Sequence, residues 1–221
     1  MAVSTLARYR MARYNAYMWR YELSVVKKIA LALGIACVIG LAAQTRLPLP
    51  WTPIPITGQT FAVLLAGVLL GRWWGGMSLL FYAGLGAAGV PWFNGWGGGI
   101  GHLAGPTGGY IIGFILAALF LGHYTDKYIR SRSFFSMLGL MLFANFALIY
   151  IPGLLQLHLW LNLVSGKAIG FSQILTMGLV PFIVGDVIKA IAAAAVARGI
   201  TPKQAYNGEV DKGKWASWRL P

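Results

Sequence analysis

Long apolar segments recur along this chain, and short segments that carry most of its charge separate them. Six such segments are apparent, at Val25–Ala43, Thr57–Leu70, Gly76–Val90, Tyr110–Leu121, Phe134–Leu155 and Ile174–Val196. A helix of about 20 apolar residues crosses the hydrocarbon layer of a bilayer. Only 10% of the residues are charged, whereas soluble domains carry about 25%. The sequence therefore predicts an all-α, multi-pass integral protein of the cell membrane with six transmembrane helices.

The positive charges are unevenly distributed among the gaps between these segments. The net charge is +13, and 15 of the 18 lysines and arginines fall before or at the start of the first segment (through Lys28), after the second and fourth, or after the sixth. Because cytoplasmic loops attract lysine and arginine, both termini are expected in the cytoplasm, and Lys167 on the outer side. This distribution fits a membrane protein better than a partner of nucleic acid. It divides the chain into a basic segment (1–24), a six-helix domain (25–198) and a cytoplasmic tail (199–221).

The basic N-terminal segment interleaves arginines with tyrosines and a tryptophan. This composition suits a helix at the cytoplasmic interface, where aromatic rings lie at headgroup level and arginines face anionic membrane lipid. A disordered basic tail would have the same composition, and both interpretations stay open.

One carboxylate and one amine stand inside the sixth apolar segment. Asp186 and Lys189 are three residues apart, so they project from the same face of a helix, just after Pro181 and Gly185. A charge at membrane depth is costly and usually faces a protected cavity. The pair either forms part of a ligand site or is a structural ion pair between helices. Asp186 is the only acidic residue in any apolar segment, which favours the ligand site.

The region between the third and fourth segments is rich in glycine. Residues 84–113 hold 12 of the 29 glycines and contain no Lys, Arg, Asp or Glu. Irregular backbone at membrane depth is tolerated where it lines a cavity, and glycine lets backbone approach a ligand closely. We expect this region to form a wall of a binding chamber, although a flexible surface loop is the alternative. The candidate ligand-binding residues are Asp186, Lys189, Tyr110, Gly109, Thr107, Asn94, Gln59 and Tyr82.

Catalytic chemistry has little support in the sequence. Intramembrane aspartyl proteolysis needs two carboxylates, and only Asp186 is available. The other acidic residues do not cluster as metal ligands, no phosphate-binding loop ending in Gly-Lys-Ser/Thr is present, and nothing indicates a cofactor. A pocket with one carboxylate, one amine and several aromatic rings suits a small ligand that has NH groups and an anionic group.

Small residues recur every four positions in the first apolar segment, at Ala32, Ala36 and Gly40. Such a stripe lets another helix approach backbone to backbone. The neighbouring helix could belong to a partner protein or to this chain.

Four stretches together resemble the biotin-specific S-component (BioY family) of energy-coupling factor (ECF) transporters, over about residues 30–198. They are Pro-Ile-Thr-Gly-Gln-Thr at 55–60, Leu-Leu-Ala-Gly-Val-Leu-Leu-Gly at 64–71, Gly-Pro-Thr-Gly-Gly-Tyr at 105–110 and Gly-Asp-Val-Ile-Lys-Ala at 185–190. The combination of the last two, in this order, is the most specific part of the resemblance.

The resemblance implies an S-component fold, capture of biotin from outside, and partnership with an ECF transmembrane scaffold and two ATPase subunits. It also implies that the stripe at Ala32, Ala36 and Gly40 contacts that scaffold, and that Asp186 and Lys189 contact biotin. The glycine-rich wall contains no arginine, which leaves Lys189 as the candidate partner of the valerate carboxylate. The alternatives are a membrane-embedded enzyme or assembly factor that shares the fold, and an S-component for another small anionic vitamin.

Overall fold

The computed structural model describes residues 5–165 and 169–215, so Lys167 lies outside the described residues. The helices are α1 (Thr5–Glu22), α2 (Val25–Gln44), α3 (Gln59–Ala87), α4 (Ile100–Leu103), α5 (Gly108–Lys127), α6 (Phe134–Phe143), α7 (Tyr150–Ser165), α8 (Phe171–Gly178), α9 (Ile183–Ile200) and α10 (Lys212–Trp215). Two short strands, β1 (Arg46–Leu47) and β2 (Ile56–Thr57), pair antiparallel. Short 3₁₀ turns lie at Asn94–Trp96, Arg130–Arg132 and Val180–Phe182, and a π-helical segment lies at Ala144–Ile149.

Long apolar helices dominate the described part of the chain, as the sequence predicts. Five of them are long and apolar enough to cross a membrane, namely Val25–Gln44, Gln59–Ala87, Gly108–Lys127, Phe134–Val164 and Phe171–Ile200. Each of the six predicted segments lies mainly within one of these helices, and α3 contains two of them. Helices α3 and α5 supply much of the buried core.

Helix α3 is broken at Gly71, where the second predicted segment ends. Gly71 has φ 79° and ψ −178°, a backbone conformation that side-chain-bearing residues rarely adopt. A Cβ at Gly75 would lie 2.7 Å from the Cα of Gly67, whereas residues eight apart on a straight helix are about 12 Å apart. Residues 59–70 and 72–87 are therefore two antiparallel arms. The side chain of Asp126 lies against the bend and accepts a hydrogen bond from the Arg72 N–H (3.0 Å).

The proline-rich segment between α2 and α3 forms no helix, as predicted, but it is not extended throughout, because a turn at 50–51 and a bend at 53–54 interrupt it. Arg46 pairs with Thr57 and Leu47 with Ile56, so the prolines between them lie in the loop that joins β1 to β2. Proline lacks an N–H donor and disfavours helix at the preceding residue, which explains why no helix forms here.

The fifth apolar segment forms a longer helix than the sequence predicts, and the middle of this helix has the wider turns of a π-helix. The apolar pattern predicts an end near Leu155, but α7 continues to Ser165. The π-helical turns at Ala144–Ile149 precede Pro152, which has no N–H for the carbonyl of Leu148 and whose ring crowds that carbonyl. The widened turn changes which side chains face the bundle interior.

The sixth segment consists of two helices instead of one. Helix α8 ends at Gly178, Leu179 leaves the helical region with φ −130° and ψ −59°, and a 3₁₀ turn containing Pro181 leads into α9. Asp186 therefore lies in the first turn of α9, where the aligned peptide dipoles favour a negative charge.

The N-terminal segment is helical and packs on one end of the bundle. The Tyr9 hydroxyl donates to the carbonyl oxygen of Gly199 (2.5 Å) and Arg13 Nη1 donates to the same oxygen (3.0 Å), at the end of α9. Arg20 Nη1 donates to the carbonyl oxygen of Leu69 (2.7 Å), at the end of the first arm of α3. Since carbonyls at a helix end have no partner within their own helix, α1 caps two helix ends.

The C-terminal segment packs on the same end. Arg132 Nη2 and Glu209 Oε1 form an ion pair at 2.6 Å, and both side chains are fully buried. Burial alone would raise the pKa of Glu209, but hydrogen bonds from Arg132 and from the N–H groups of Tyr206 and Asn207 lower it below its usual value. The tail, as far as the structure describes it, is thus an ordered part of the fold.

The small-residue stripe of α2 packs against this chain. Ala32 and Ala36 are completely buried, and a Cβ at Gly40 would lie 2.9 Å from the Cβ of Trp92. The prediction of a partner-docking face at Ala32, Ala36 and Gly40 is therefore corrected, because these small residues allow close approach of the neighbouring segments of the same chain. The exposed face of α2 instead carries larger apolar residues such as Val38 and Leu41.

Candidate ligand-binding site

A cavity lies among the helices, roofed by the β1–β2 hairpin and the glycine-rich region, and together with its open mouth it contains about 590 Å³ of empty space. Its walls are formed by Ile54, Pro55, Thr57, Gln59, Thr60, Tyr82, Asn94, Thr107, Tyr110, Ile111, Phe114, Ile149, Tyr150, Phe182, Asp186 and Lys189. Seven of the eight predicted ligand-binding residues are among them, and Gly109 is not.

Asp186 is the most densely bonded polar group of the cavity. It is only 3% exposed. Its Oδ1 is 2.6 Å from Lys189 Nζ, while its Oδ2 accepts hydrogen bonds from the Tyr150 hydroxyl (2.6 Å) and from Asn145 Nδ2 (3.1 Å). A buried carboxylate is tolerated when it is paired and hydrogen-bonded in this way. Its orientation is therefore fixed before any ligand enters.

Lys189 connects the carboxylate to the hairpin. Its Nζ also donates to the carbonyl oxygen of Thr57 in β2 (3.0 Å), and its side chain is 19% exposed. An ammonium group has three hydrogens and a carboxylate oxygen has two lone pairs. One Nζ–H of Lys189 and one lone pair of Asp186 Oδ1 therefore remain for a ligand, side by side.

Gln59 and Tyr82 face each other across the two arms of α3. Gln59 Nε2 donates to the Tyr82 hydroxyl at 2.8 Å. The Trp92 indole N–H donates to the carbonyl oxygen of Tyr82 (2.9 Å), which holds the start of the glycine-rich region against this wall. The close approach at Gly67 and Gly75 brings the arms together and so positions this pair.

His102 organises the polar part of the glycine-rich wall. Its Nε2 is 3.2 Å from Asn94 Nδ2 and 3.4 Å from Thr107 Oγ1, and its ring stacks on Phe93 at 4.9 Å between centroids. Burial lowers the pKa of His102 below the usual value. The neutral imidazole can accept one hydrogen bond at Nε2, so it can hold either the Asn94 amide or the Thr107 hydroxyl at the cavity.

Tyr110 and Gly109 have different positions although they are adjacent. The Tyr110 ring lines the cavity, and its hydroxyl donates to the carbonyl oxygen of Gly178 (2.8 Å) at the end of α8. Gly109 faces α7, where a Cβ would collide with the carbonyl oxygen of Pro152 and lie 2.8 Å from Gln156 Cβ. Gly109 thus allows α5 and α7 to pack closely, and it does not reach the cavity.

The sequence analysis did not identify two groups that hold Asp186, namely Tyr150 and Asn145. Asn145 lies within the π-helical segment and Tyr150 directly follows it, and the register of a regular α-helix does not place them together on one side. Pro152 was the available sign that the helix is irregular here. The second sign was that Asn145 is a polar residue in the middle of an apolar segment. The structure buries it completely, and buried amides normally have a polar partner.

The cavity has polar donors and acceptors at a few points and apolar walls elsewhere. No group of three or more His, Cys, Asp or Glu side chains that could hold a metal ion occurs within 5–165 and 169–215. Apolar and aromatic walls are supplied by Phe114, Ile149 and Phe182, among others. This arrangement can bind a small, partly apolar molecule that presents a donor and an acceptor close together.

The fold and the cavity define a multi-pass membrane protein that encloses a small-molecule site within its helices. The BioY family model matches residues 11–205, and the chain belongs to that family. It is accordingly a transport protein and not an enzyme.

Relatives with assigned names agree with this membership. A protein from Methanothermobacter thermautotrophicus, named "Probable biotin transporter BioY", is 55% identical over 157 residues, which are 71% of this chain and 100% of the relative. The "Biotin transporter BioY" of Thermotoga maritima is 36% identical over 149 residues, 67% of this chain and 82% of the relative. The crystal structure of the S-component for biotin from an ECF-type ABC transporter matches with a TM-score of 0.68 and 27% identity, covering 78% of this chain and 89% of that one.

Proposed function

We propose that this chain is the biotin-binding membrane subunit of an ECF-type transporter. The observation that carries this proposal is the adjacent, preoriented Asp186–Lys189 pair in a cavity with apolar and aromatic walls. A relative at 55% identity is named a probable biotin transporter, and a structural relative is an S-component for biotin. Uptake then requires a transmembrane scaffold and ATPase subunits as partners.

Biotin has a ureido group, in which N–H and C=O groups are neighbours, an apolar thioether ring and a valerate carboxylate. The free lone pair of Asp186 Oδ1 suits a ureido N–H, and the free hydrogen of Lys189 Nζ suits the ureido oxygen. Because the two groups are 2.6 Å apart, both engage the same end of the ligand. The apolar walls then receive the thioether ring.

In this assignment Lys189 binds the ureido group and does not bind the valerate carboxylate. We infer that the carboxylate accepts hydrogen bonds from the Thr107 hydroxyl and from one amide hydrogen of Asn94, while the other amide hydrogen of Asn94 binds His102 Nε2. The resemblance alone favoured Lys189, so the two assignments make different predictions.

The membrane arrangement proposed here has six spans, with the two arms of α3 counted separately because of the bend at Gly71. Both termini are placed in the cytoplasm. The contacts of α1 and of the C-terminal segment with the same end of the bundle, together with the distribution of lysine and arginine, support this orientation. The ligand cavity then opens towards the outside, where biotin is captured.

Calorimetry with biotin and with uncharged biotin amide tests both the function and the site. We expect the wild-type protein to bind biotin more tightly than the amide. Lys189→Met should weaken both ligands about equally, by about 10- to 150-fold, since a hydrogen bond to a charged group contributes about 1.5–3 kcal/mol. Asn94→Ala should weaken biotin more than the amide and so reduce the discrimination between them.

The outcomes separate the claims. Absence of biotin binding by the folded wild-type protein would refute the function. If Lys189→Met no longer distinguished biotin from biotin amide, and Asn94→Ala distinguished them as the wild type does, Lys189 would be the residue that binds the valerate carboxylate.

A further inference from the structure

A second cavity opens at the other end of the bundle, beside the bend at Gly71. It lies between α1, the start of α2, the bend of α3 and the end of α5, and together with its open mouth it contains about 820 Å³ of empty space. We call it the basic cleft, and its walls include Arg20, Lys28, Arg72, Trp73, Asp126 and Lys127. The biotin site involves none of these residues.

The charges of the basic cleft are not balanced. Asp126 is the single carboxylate among its lining residues, and it forms an ion pair with Arg20 at 2.8 Å. Within the described residues, no carboxylate oxygen lies within 4.0 Å of the side-chain nitrogens of Lys28, Arg72 or Lys127, although Asp126 accepts a hydrogen bond from the backbone N–H of Arg72. Three positive charges from three different helices therefore face one cavity without a counterion from the described chain.

Two of these cations are held in place with hydrogen-bonding capacity left over. Lys28 Nζ donates to the carbonyl oxygen of Tyr21 (2.8 Å) and retains two further hydrogens. The guanidinium of Arg72 lies over the Trp73 ring, 4.7 Å from its centroid. One guanidinium nitrogen, Nη1, is 3.4 Å from His123 Nδ1. Stacking fixes the plane of the guanidinium, and its remaining N–H groups can bind an anion, since arginine forks match phosphate oxygens well.

The position of the basic cleft indicates which anion reaches it. Residues 59–70 cross the apolar part of the bundle, and the chain then turns at Gly71 directly into Arg72, Trp73 and Trp74. Trp73 is 68% exposed, and exposed tryptophans at the ends of membrane helices lie at headgroup level. Basic pockets between membrane helices on the cytoplasmic side bind anionic headgroups.

We propose that the basic cleft binds the phosphate headgroup of an anionic phospholipid of the surrounding membrane. The phosphate is held by Lys28, Arg72 and Lys127, and Trp73 packs beside the glycerol region. The site is separate from biotin capture, so the proposal does not depend on which vitamin this protein binds.

The experiment uses the full-length protein in nanodiscs that contain equal amounts of phosphatidylglycerol and phosphatidylcholine. Native mass spectrometry after release counts the lipids that stay bound. We expect retention of phosphatidylglycerol over phosphatidylcholine. In the double variant Arg72→Gln/Lys127→Gln, this preference should fall about 25-fold, at about fivefold per cation removed.

The matched control is Arg8→Gln/Arg130→Gln, which removes the same charge from exposed positions outside the basic cleft. It should leave the lipid preference unchanged, and both double variants should bind biotin as the wild type does, which shows that they are folded. An equal loss in the control, or equal retention of the two lipids by the wild type, would overturn the proposal.

A final arm distinguishes a lipid from a soluble phosphate compound. Glycerol 3-phosphate carries the same anionic group without acyl chains. If it displaces phosphatidylglycerol at equal concentration, the ligand is a soluble phosphate compound and the proposed membrane lipid is wrong. Failure of millimolar glycerol 3-phosphate to compete supports the lipid.

Discussion

Substitutions at Asp186 and Lys189 can separate the contribution of this pair to ligand binding from its contribution to the stability of the fold. In Lys189→Met, the carboxylate of Asp186 keeps the donors Tyr150 and Asn145 but loses its cation at 2.6 Å, in a site where Asp186 is 3% exposed. Breaking a buried ion pair by removing one partner costs about 3–5 kcal/mol. The two remaining donors place the expected loss in the free energy of unfolding near the lower limit, at about 3 kcal/mol.

The double variant Asp186→Asn/Lys189→Met gives the decisive comparison. It removes both charges, and the introduced asparagine side chain still offers a carbonyl oxygen to Tyr150 and Asn145. Because replacing both members of a buried ion pair by neutral groups is often nearly neutral, we expect stability within about 1 kcal/mol of the wild type. Biotin binding should not return, since the charged acceptor and the donor for the ureido group are both absent.

The assay combines thermal unfolding in detergent with calorimetry on the same samples. For a chain of this size, about 3 kcal/mol corresponds to a melting temperature lower by about 6–12 °C. Lys189→Met should show this shift and the double variant should recover most of it. Wild-type biotin affinity in the double variant would show that the pair is only structural. An unshifted melting temperature in Lys189→Met would show that Asp186 does not depend on Lys189 for burial.

Two further predictions concern orientation and pH. In a Cys37→Ser background, an impermeant maleimide should label Arg46→Cys in intact cells and Lys212→Cys only after permeabilisation; the reverse pattern would invert the proposed topology. Burial lowers the pKa of His102, so its Nε2 accepts hydrogen bonds at neutral pH and loses this ability as the pH falls through that lowered value, below the usual value of about 6.5. Wild-type biotin affinity should therefore fall on acidification, whereas His102→Phe, which can keep the stacking on Phe93, should show a weaker and pH-independent affinity; an unchanged pH profile in that variant would exclude His102 as the cause.

Much of this architecture follows from local features of the sequence. Apolar segments of about the bilayer thickness predict the helices, because length and hydrophobicity are local properties. The carboxylate and the amine at 186 and 189 could be recognised for the same reason, since their cost in an apolar segment does not depend on distant residues. The resemblance to the S-components rested on short stretches that include these two residues.

The features that the sequence could not show depend on contacts between distant segments. A small-residue stripe predicts close helix packing but not the identity of the neighbour, and Ala36 turned out to be buried within the chain. Tyr150 reaches Asp186 because a π-helical segment shifts the register of the helix before it. Arg132 and Glu209 are 77 positions apart, and no local pattern joins them.

The capping of α9 by α1 also has a consequence for the order of events during synthesis. The carbonyl of Gly199 that Tyr9 and Arg13 bind is made 190 and 186 positions later than these two side chains. Helix α1 therefore leaves the ribosome long before its docking site on α9 exists. Its attachment there can be completed only after all the helices between them have been translated, and it then joins segments that are about 190 positions apart.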